Sequence, residues 1–230
     1  MKTIGLIGGM SWESTVSYYQ IINREIKKKL GGFHSSKCIL YSVDFHEIEE
    51  CQSSGEWDKS ADILTNAALS LEKAGADFII ICTNTMHKVA DAIQKKLHVP
   101  LLHIAEVTAE ELLKNSVTNV ALLGTRYTME QDFYKSKLID HGIKVIIPEE
   151  NDREFINHTI FQELCLGIMN EASRQQLLSI CSKLYDQGAQ GIILGCTEIG
   201  LLINQESVDI PLFDTTLIHA KSAARYSMEG

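Results

Sequence analysis

The chain is poor in the features that mark specialised protein classes. It has 3 prolines and 2 tryptophans in 230 residues, and no stretch rich in Pro, Gly and Ser that would read as a flexible linker. Its apolar runs are short, Phe78-Ile79-Ile80-Ile81-Cys82 being typical. None approaches the roughly 18 residues that a membrane span requires. The opening residues are apolar but soon reach Trp12-Glu13 without a small-residue cleavage site, so they read as a first strand and not a signal peptide. Lys27-Lys28-Lys29 is a short solvated face, and 21 Lys+Arg stand against 30 Asp+Glu for a formal net charge of -9. Such a chain is a poor partner for nucleic acid or an anionic membrane. The 6 cysteines form no Cys-x-x-Cys and no paired Cys/His spacing, which leaves no metal site legible and reads as reduced thiols in a cytoplasm. Neither the dinucleotide nor the nucleotide phosphate loop motif occurs.

What the chain does have is ordinary globular composition, 45% hydrophobic and 22% charged, at a length suited to one domain or two small lobes. It also repeats itself. Leu71-Glu-Lys-Ala-Gly75-Ala76-Asp-Phe-Ile79-Ile80-Ile81-Cys82-Thr83 aligns with Leu184-Tyr-Asp-Gln-Gly188-Ala189-Gln-Gly-Ile192-Ile193-Leu194-Gly195-Cys196 at an offset of 113 residues. Ile4–Met10 resembles Val120–Arg126, and Val99-Pro100-Leu101 resembles Ile210-Pro211-Leu212, in the same order. Three matches in order indicate a duplication.

Each half alternates short apolar strands with helical patterns. The strands are expected at 3–8, 38–44, 77–82 and 100–103, then at 118–123, 143–147, 191–195 and 210–213. Helices are expected at 57–74, 85–97, 128–141 and 172–187. That alternation predicts an α/β protein of two pseudo-symmetric lobes, each a parallel sheet flanked by helices. The first lobe is expected to comprise 1–103 plus 214–230, and the second 104–213. Ligands of parallel sheets bind beyond the carboxyl ends of the strands, so the expected site is the cleft between the lobes.

The polar strand exits are therefore the candidate functional positions: Gly8-Gly9-Met10-Ser11, Thr83-Asn84-Thr85-Met86-His87, Gly124-Thr125-Arg126 and Cys196-Thr197-Glu198. Under the repeat, Thr83 and Cys196 are equivalent. Hydroxyls, an amide and helix-start N–H groups suit a carboxylate ligand. Cys196 follows a glycine at an expected helix start, where a thiol pKa of about 8.5 is lowered. A thiolate there can take a proton or attack carbon. Cys82 is expected to point into the lobe interior, because strand neighbours face opposite ways, unless a bulge re-aims it. Trp12 and Trp57 read as packing groups.

Gly195-Cys196-Thr197-Glu198, Asn84-Thr85-Met86-His87 after an apolar strand, and the opening Ile4-Gly5-Leu6-Ile7-Gly8-Gly9-Met10-Ser11 resemble the aspartate/glutamate racemase superfamily over nearly the whole chain. Within it the chain looks closest to bacterial amino-acid racemases of broad Asp/Glu type. The resemblance implies a homodimer and catalysis without pyridoxal phosphate or any other cofactor. Two cysteines flank the α-carbon of a small amino-acid substrate; one removes the α-proton and the other returns a proton to the opposite face. The family's first motif is Cys-Asn-Thr-x-His, and this chain has Thr83 where that Cys is expected. The resemblance makes Cys196 and Thr83 the catalytic pair, with Cys196 acting on L-aspartate or L-glutamate and Thr83 a poor base. It places Met10, Asn84, Thr85, Thr125 and Thr197 around the substrate. Gln52 reads equally as a polar contact or a solvated loop residue. Glu198 either orients Cys196, accepts its proton, or is a helix-start carboxylate. Arg126 could clamp a side-chain carboxylate. The alternatives are a single-cysteine decarboxylase of the same superfamily and a non-catalytic binder of small anions.

Overall fold

The computed structural model describes residues 1–229. The chain forms two compact units. Unit 1 is Met1–Ile104 together with the segment that begins at His219; unit 2 is Ala105–Ile218. The chain thus leaves unit 1 after Ile104 and re-enters it at His219, where the repeat alone puts the crossings after 103 and 213.

In unit 1, β1 (Ile4–Gly8), α1 (Trp12–Leu30), β2 (Cys38–Ser42), α2 (Phe45–Ser54), α3 (Trp57–Lys73) and β3 (Phe78–Ile81) are followed by a 3-10 turn at Thr85–Val89 and α4 (Ala90–Gln94). The strands are parallel in the order β2-β1-β3, and an isolated parallel bridge between Ile79 and Leu101 extends the row. The helix α5 (Ile104–Lys114) carries the chain into unit 2. There β4 (Asn119–Gly124), α6 (Arg126–Glu130), α7 (Asp132–Asp140), β5 (Lys144–Ile146), α8 (Glu150–Gln162), α9 (Glu171–Asp186), β6 (Gly191–Gly195), α10 (Ile199–Leu202) and β7 (Leu212–Asp214) build a parallel sheet of order β5-β4-β6-β7. Finally α11 (Thr215–Met228) returns the chain to unit 1. This is an α/β fold of two parallel sheets flanked by helices.

Alternation along β3 decides which layer each side chain joins. Ile79 and Ile81 pack with Ile48, Leu64, Leu71 and Ile93 of α2, α3 and α4. Phe78, Ile80 and Cys82 pack with Tyr18, Ile22 and Ile26 of α1 and with Ala220, Ala223 and Ala224 of α11. Both faces are covered, which is why the strand reads as an unbroken apolar run.

The duplication is visible in hydrogen bonds. Ala76 N–H donates to the Leu71 carbonyl at 3.0 Å, and Ala189 N–H donates to the Leu184 carbonyl at 3.1 Å. The Ile79 N–H reaches the Pro100 carbonyl at 2.9 Å, and Ile192 reaches that of Pro211 at the same distance.

Some expected elements are cut. The expected helix at 85–97 divides into the 3-10 turn and α4. The one at 128–141 divides into α6 and α7 because Gln131 is extended, with ψ 156°. Of the tryptophans, Trp57 packs against the core of unit 1, but Trp12 is 64% exposed, contrary to its reading as a packing group. It opens α1 outside the buried stripe formed by Ser14, Thr15, Tyr18, Ile22 and Ile26.

Candidate active site

Each unit ends its sheet in two polar strand exits. In unit 1, β1 leads through Gly8-Gly9-Met10 to Ser11, the N-cap of α1, whose side chain accepts from Ser14 N–H. Thr15 ties the turn: its hydroxyl accepts from Gly9 N–H and donates to the Ser11 carbonyl, both at 2.9 Å. Gly9 has φ +94°, and a Cβ there would run into the Val43 carbonyl, so only glycine fits. Met10 is buried with Ile48 and Met86. Gln52, in α2, is buried, and its amide donates to the Met86 sulfur at 3.0 Å. It is thus a helical core residue and not a solvated loop residue.

The second exit of unit 1 follows β3. Asn84 and Thr85 are buried, whereas Thr83 is partly exposed. Cys82 is completely buried in the layer beneath α1 and α11, and burial alone drives its thiol far above the ordinary range. It is therefore unavailable as a second acid–base thiol beside Thr83. His87 folds back on this exit, its Nδ1 2.8 Å from the Thr83 carbonyl oxygen.

In unit 2, β4 leads through Gly124 to Thr125, the N-cap of α6, whose hydroxyl accepts from Thr128 N–H at 3.3 Å. Arg126, which follows it, is exposed, and its backbone N–H donates to Asn157 Oδ1. Gly124 is paired with Gly195 across β4 and β6. A Cβ on Gly124 would lie 2.8 Å from the Gly195 carbonyl oxygen, and one on Gly195 would lie 2.7 Å from that of Leu123. The two glycines let these strand ends close up, and they deliver Cys196 directly at the end of β6.

Cys196 is 8% exposed and Glu198 is 7% exposed. The Cys196 thiol donates to Glu198 Oε2 at 3.0 Å, and the Thr197 hydroxyl donates to the same oxygen at 2.5 Å. The Cys196 thiol pKa is raised, where its place after a glycine at a helix start predicts a lowered one. Burial, then the negative charge of Glu198 and the neighbouring Cys165, push the Cys196 thiol well above its ordinary value. The helix invoked for lowering it, α10, begins only at Ile199 and has four residues, too short to supply a strong dipole. Cys196 therefore rests as a thiol with a carboxylate acceptor in place. A buried thiol–carboxylate pair can pass one proton between sulfur and oxygen, which is the element of general acid–base chemistry.

The Cys196 electrostatics thus differ from those expected of a residue that follows a glycine at a helix start. The sequence assigns no role to the His87 contact, because a return hydrogen bond to a backbone carbonyl has no residue signature. Among the described residues no group of three or more His, Cys, Asp or Glu could hold a metal ion, and no helix is long and apolar enough to cross a membrane.

Comparison with known proteins agrees with the fold of two parallel sheets flanked by helices. The chain is 27% identical to the broad specificity amino-acid racemase RacX of Bacillus subtilis over 230 residues, covering 95% of each chain. Its structure superposes with a TM-score of 0.94 on a Yersinia pestis protein named for the Asp/Glu racemases, 56% identical, with all of both chains covered. An aspartate racemase homologue from Pyrococcus horikoshii is 37% identical with a TM-score of 0.85, again over all of both chains. The family model described as Asp/Glu/Hydantoin racemase matches residues 7–223, and the chain belongs to that family.

Proposed function

We propose that this protein is a cofactor-independent amino-acid racemase that acts on L-aspartate or L-glutamate, with Cys196 and Thr83 as its catalytic residues. The observation that carries this reading is the buried Cys196 thiol hydrogen-bonded to Glu198. The names of the relatives point the same way. In the first step Glu198 takes the thiol proton and the thiolate removes the α-proton of the L substrate, leaving a carbanion and a neutral thiol. In the second, the Thr83 hydroxyl gives its proton to the opposite face of the carbanion and is reprotonated from solvent, while Glu198 releases to solvent the proton it took, so both groups are restored. Met10, Gln52, Asn84, Thr85, Thr125 and Thr197 are the proposed surroundings of the substrate, Asn84 toward its α-substituents. Gln52 and Thr125 act in this scheme through neighbours: the first holds Met86 and the second caps α6.

An alcohol is a far weaker acid than a thiol, so Thr83 makes a poor base and abstraction from D substrates is slow. The enantiomers have equal free energy in water, so kcat/KM for complete inversion must match in the two directions. The asymmetry therefore shows as exchange of the α-proton of the L substrate outrunning inversion.

The Thr83 position also favours a second reading, a single-cysteine decarboxylase in which Cys196 protonates an enediolate. Proton NMR of L-aspartate and L-glutamate in D2O, followed by chiral analysis, separates the two. Loss of the α-proton signal with wild type, reduced roughly 10²- to 10⁴-fold in Cys196→Ala, is the expected result. No exchange with either amino acid overturns the racemase reading, and release of CO2 from a disubstituted malonate establishes the other. We further propose a homodimer. Trp12, Val16 and Tyr19 are exposed at i, i+4 and i+7 on α1, an apolar face of the kind that marks association.

A further inference from the structure

Unit 1 contains three buried histidines with no part in the chemistry above. His87 lies in the 3-10 turn after β3, His103 just before α5, and His219 in α11. The His87 ring centroid lies 4.6 Å from that of His103 and 5.7 Å from that of His219. His103 and His219 stand beside the points where the chain leaves unit 1 and returns to it.

The hydrogen bonds fix the proton on two of these rings. A carbonyl oxygen can only accept, and a backbone N–H can only donate. His87 Nδ1 faces the Thr83 carbonyl oxygen at 2.8 Å, so Nδ1 carries the hydrogen. His87 Nε2 accepts from the Ile104 N–H at 3.2 Å, so it carries none. By the same rule His219 Nε2–H donates to the Leu102 carbonyl at 2.9 Å, and its Nδ1 accepts from the Tyr18 hydroxyl at 2.9 Å. Burial, and then the nearby His103 and His219, hold the His87 imidazole well below its ordinary pKa. A proton added to Nε2 would also face the Ile104 N–H donor to donor.

The His87 ring therefore joins two backbone groups. One belongs to Thr83, the residue at the strand exit. The other belongs to Ile104, the last residue of unit 1 before the chain crosses. We propose that His87 is a positioning residue: its neutral imidazole, protonated on Nδ1, ties the Thr83 backbone to Ile104 and so sets where the Thr83 hydroxyl stands. This rests on the racemase reading for the role of Thr83. A misplaced proton donor loses rate steeply, about 10²-fold for roughly 1 Å. The clamp does not touch Cys196, so its loss falls on inversion and spares exchange.

The test compares full-length wild type, His87→Phe and His87→Asn on L-aspartate and L-glutamate in D2O, reading α-proton exchange and D-enantiomer formation in the same sample. The expected result is a rise in the exchange-to-inversion ratio of roughly tenfold or more in His87→Phe. His87→Asn, which keeps an N–H donor for the Thr83 carbonyl, recovers part of it. A ratio unchanged in His87→Phe, or equal loss of exchange and inversion without recovery in His87→Asn, overturns the proposal. If His87→Phe fails to fold, long-range proton–nitrogen NMR of the wild-type imidazoles decides, and the expected species is Nδ1–H. The Nε2–H tautomer, or an imidazolium at neutral pH, overturns it. Absence of both exchange and inversion in wild type strikes the racemase reading alone, because the tautomer is read without substrate.

Discussion

The exits of β3 and β6 share one backbone plan and differ in the group that contacts the strand-end residue. Both follow a Gly-Ala turn and a buried parallel strand, and both place one polar residue at the strand end. In unit 2 the return contact is a carboxylate, Glu198, which accepts from the side chain of Cys196 at 3.0 Å. In unit 1 it is an imidazole, His87, which donates to the main chain of Thr83 at 2.8 Å. One unit supports an ionisable side chain with a proton acceptor. The other supports the position of a hydroxyl that does not ionise near neutrality. A duplication preserves backbone hydrogen bonds because they do not depend on side chains. It leaves the residue at the strand end free to diverge.

The sharpest way to break this asymmetry is to give both exits a thiol. Thr83→Cys is expected to raise α-proton exchange from D-aspartate or D-glutamate by at least about tenfold, because a thiolate is a far better base than an alcohol. Deuterium incorporation into the D substrate measures it. No gain would overturn the proposed role of Thr83 as the weak partner of Cys196.

The units are also expected to differ in acid. Burial, followed by the neighbouring His103, lowers the His219 pKa from 6.5 to about 3, against the favourable bond to the Leu102 carbonyl. His87 is shifted the same way. Between pH 6.5 and about 3 the unfolded chain binds the proton that the folded chain refuses. The stabilisation is thus complete above the unfolded pKa and is lost as pH falls, at up to about 1.4 kcal/mol per pH unit for each such histidine. The histidines of unit 2, His141 and His158, are exposed. Amide hydrogen exchange at pH 4.5 is expected to show β1 and β3 losing protection before β4 and β6. Equal loss in both sheets would remove the distinction.

The smallest expected contrast lies between two fully buried tyrosines. Tyr18 donates to His219 Nδ1 at 2.9 Å, whereas Tyr134 reaches Thr108 Oγ1 at 3.4 Å. Tyr18→Phe leaves a buried ring nitrogen without its donor and is expected to cost about 1–3 kcal/mol in urea denaturation. Tyr134→Phe removes a long bond and is expected to cost about 1 kcal/mol or less. A larger effect at Tyr134 would locate the more demanding polar core in unit 2.

The fold and the strand exits were legible from sequence because their causes are local. An apolar run bounded by polar residues is a buried strand wherever it occurs, and alternating strands and helices leave little but parallel sheets. The period of two along β3 also predicted correctly that Cys82 points inward, where it packs with Tyr18 and Ala220. Thr83, Cys196 and Glu198 could be singled out because the repeat and the motifs name positions. What the sequence could not carry was their environment. The Cys196 thiol rises well above its ordinary value because burial and a carboxylate act on it together, and neither depth nor the direction in which Glu198 turns is written in Gly-Cys-Thr-Glu. The three histidines meet through the 3-10 turn after β3, the segment before α5, and α11. The tautomers of His87 and His219 follow from which groups face each nitrogen. Pattern along the chain determined the architecture and the identity of the strand-exit residues. Proximity between residues far apart in the chain decided which of them hold protons, because desolvation and hydrogen bonding depend on distance in space.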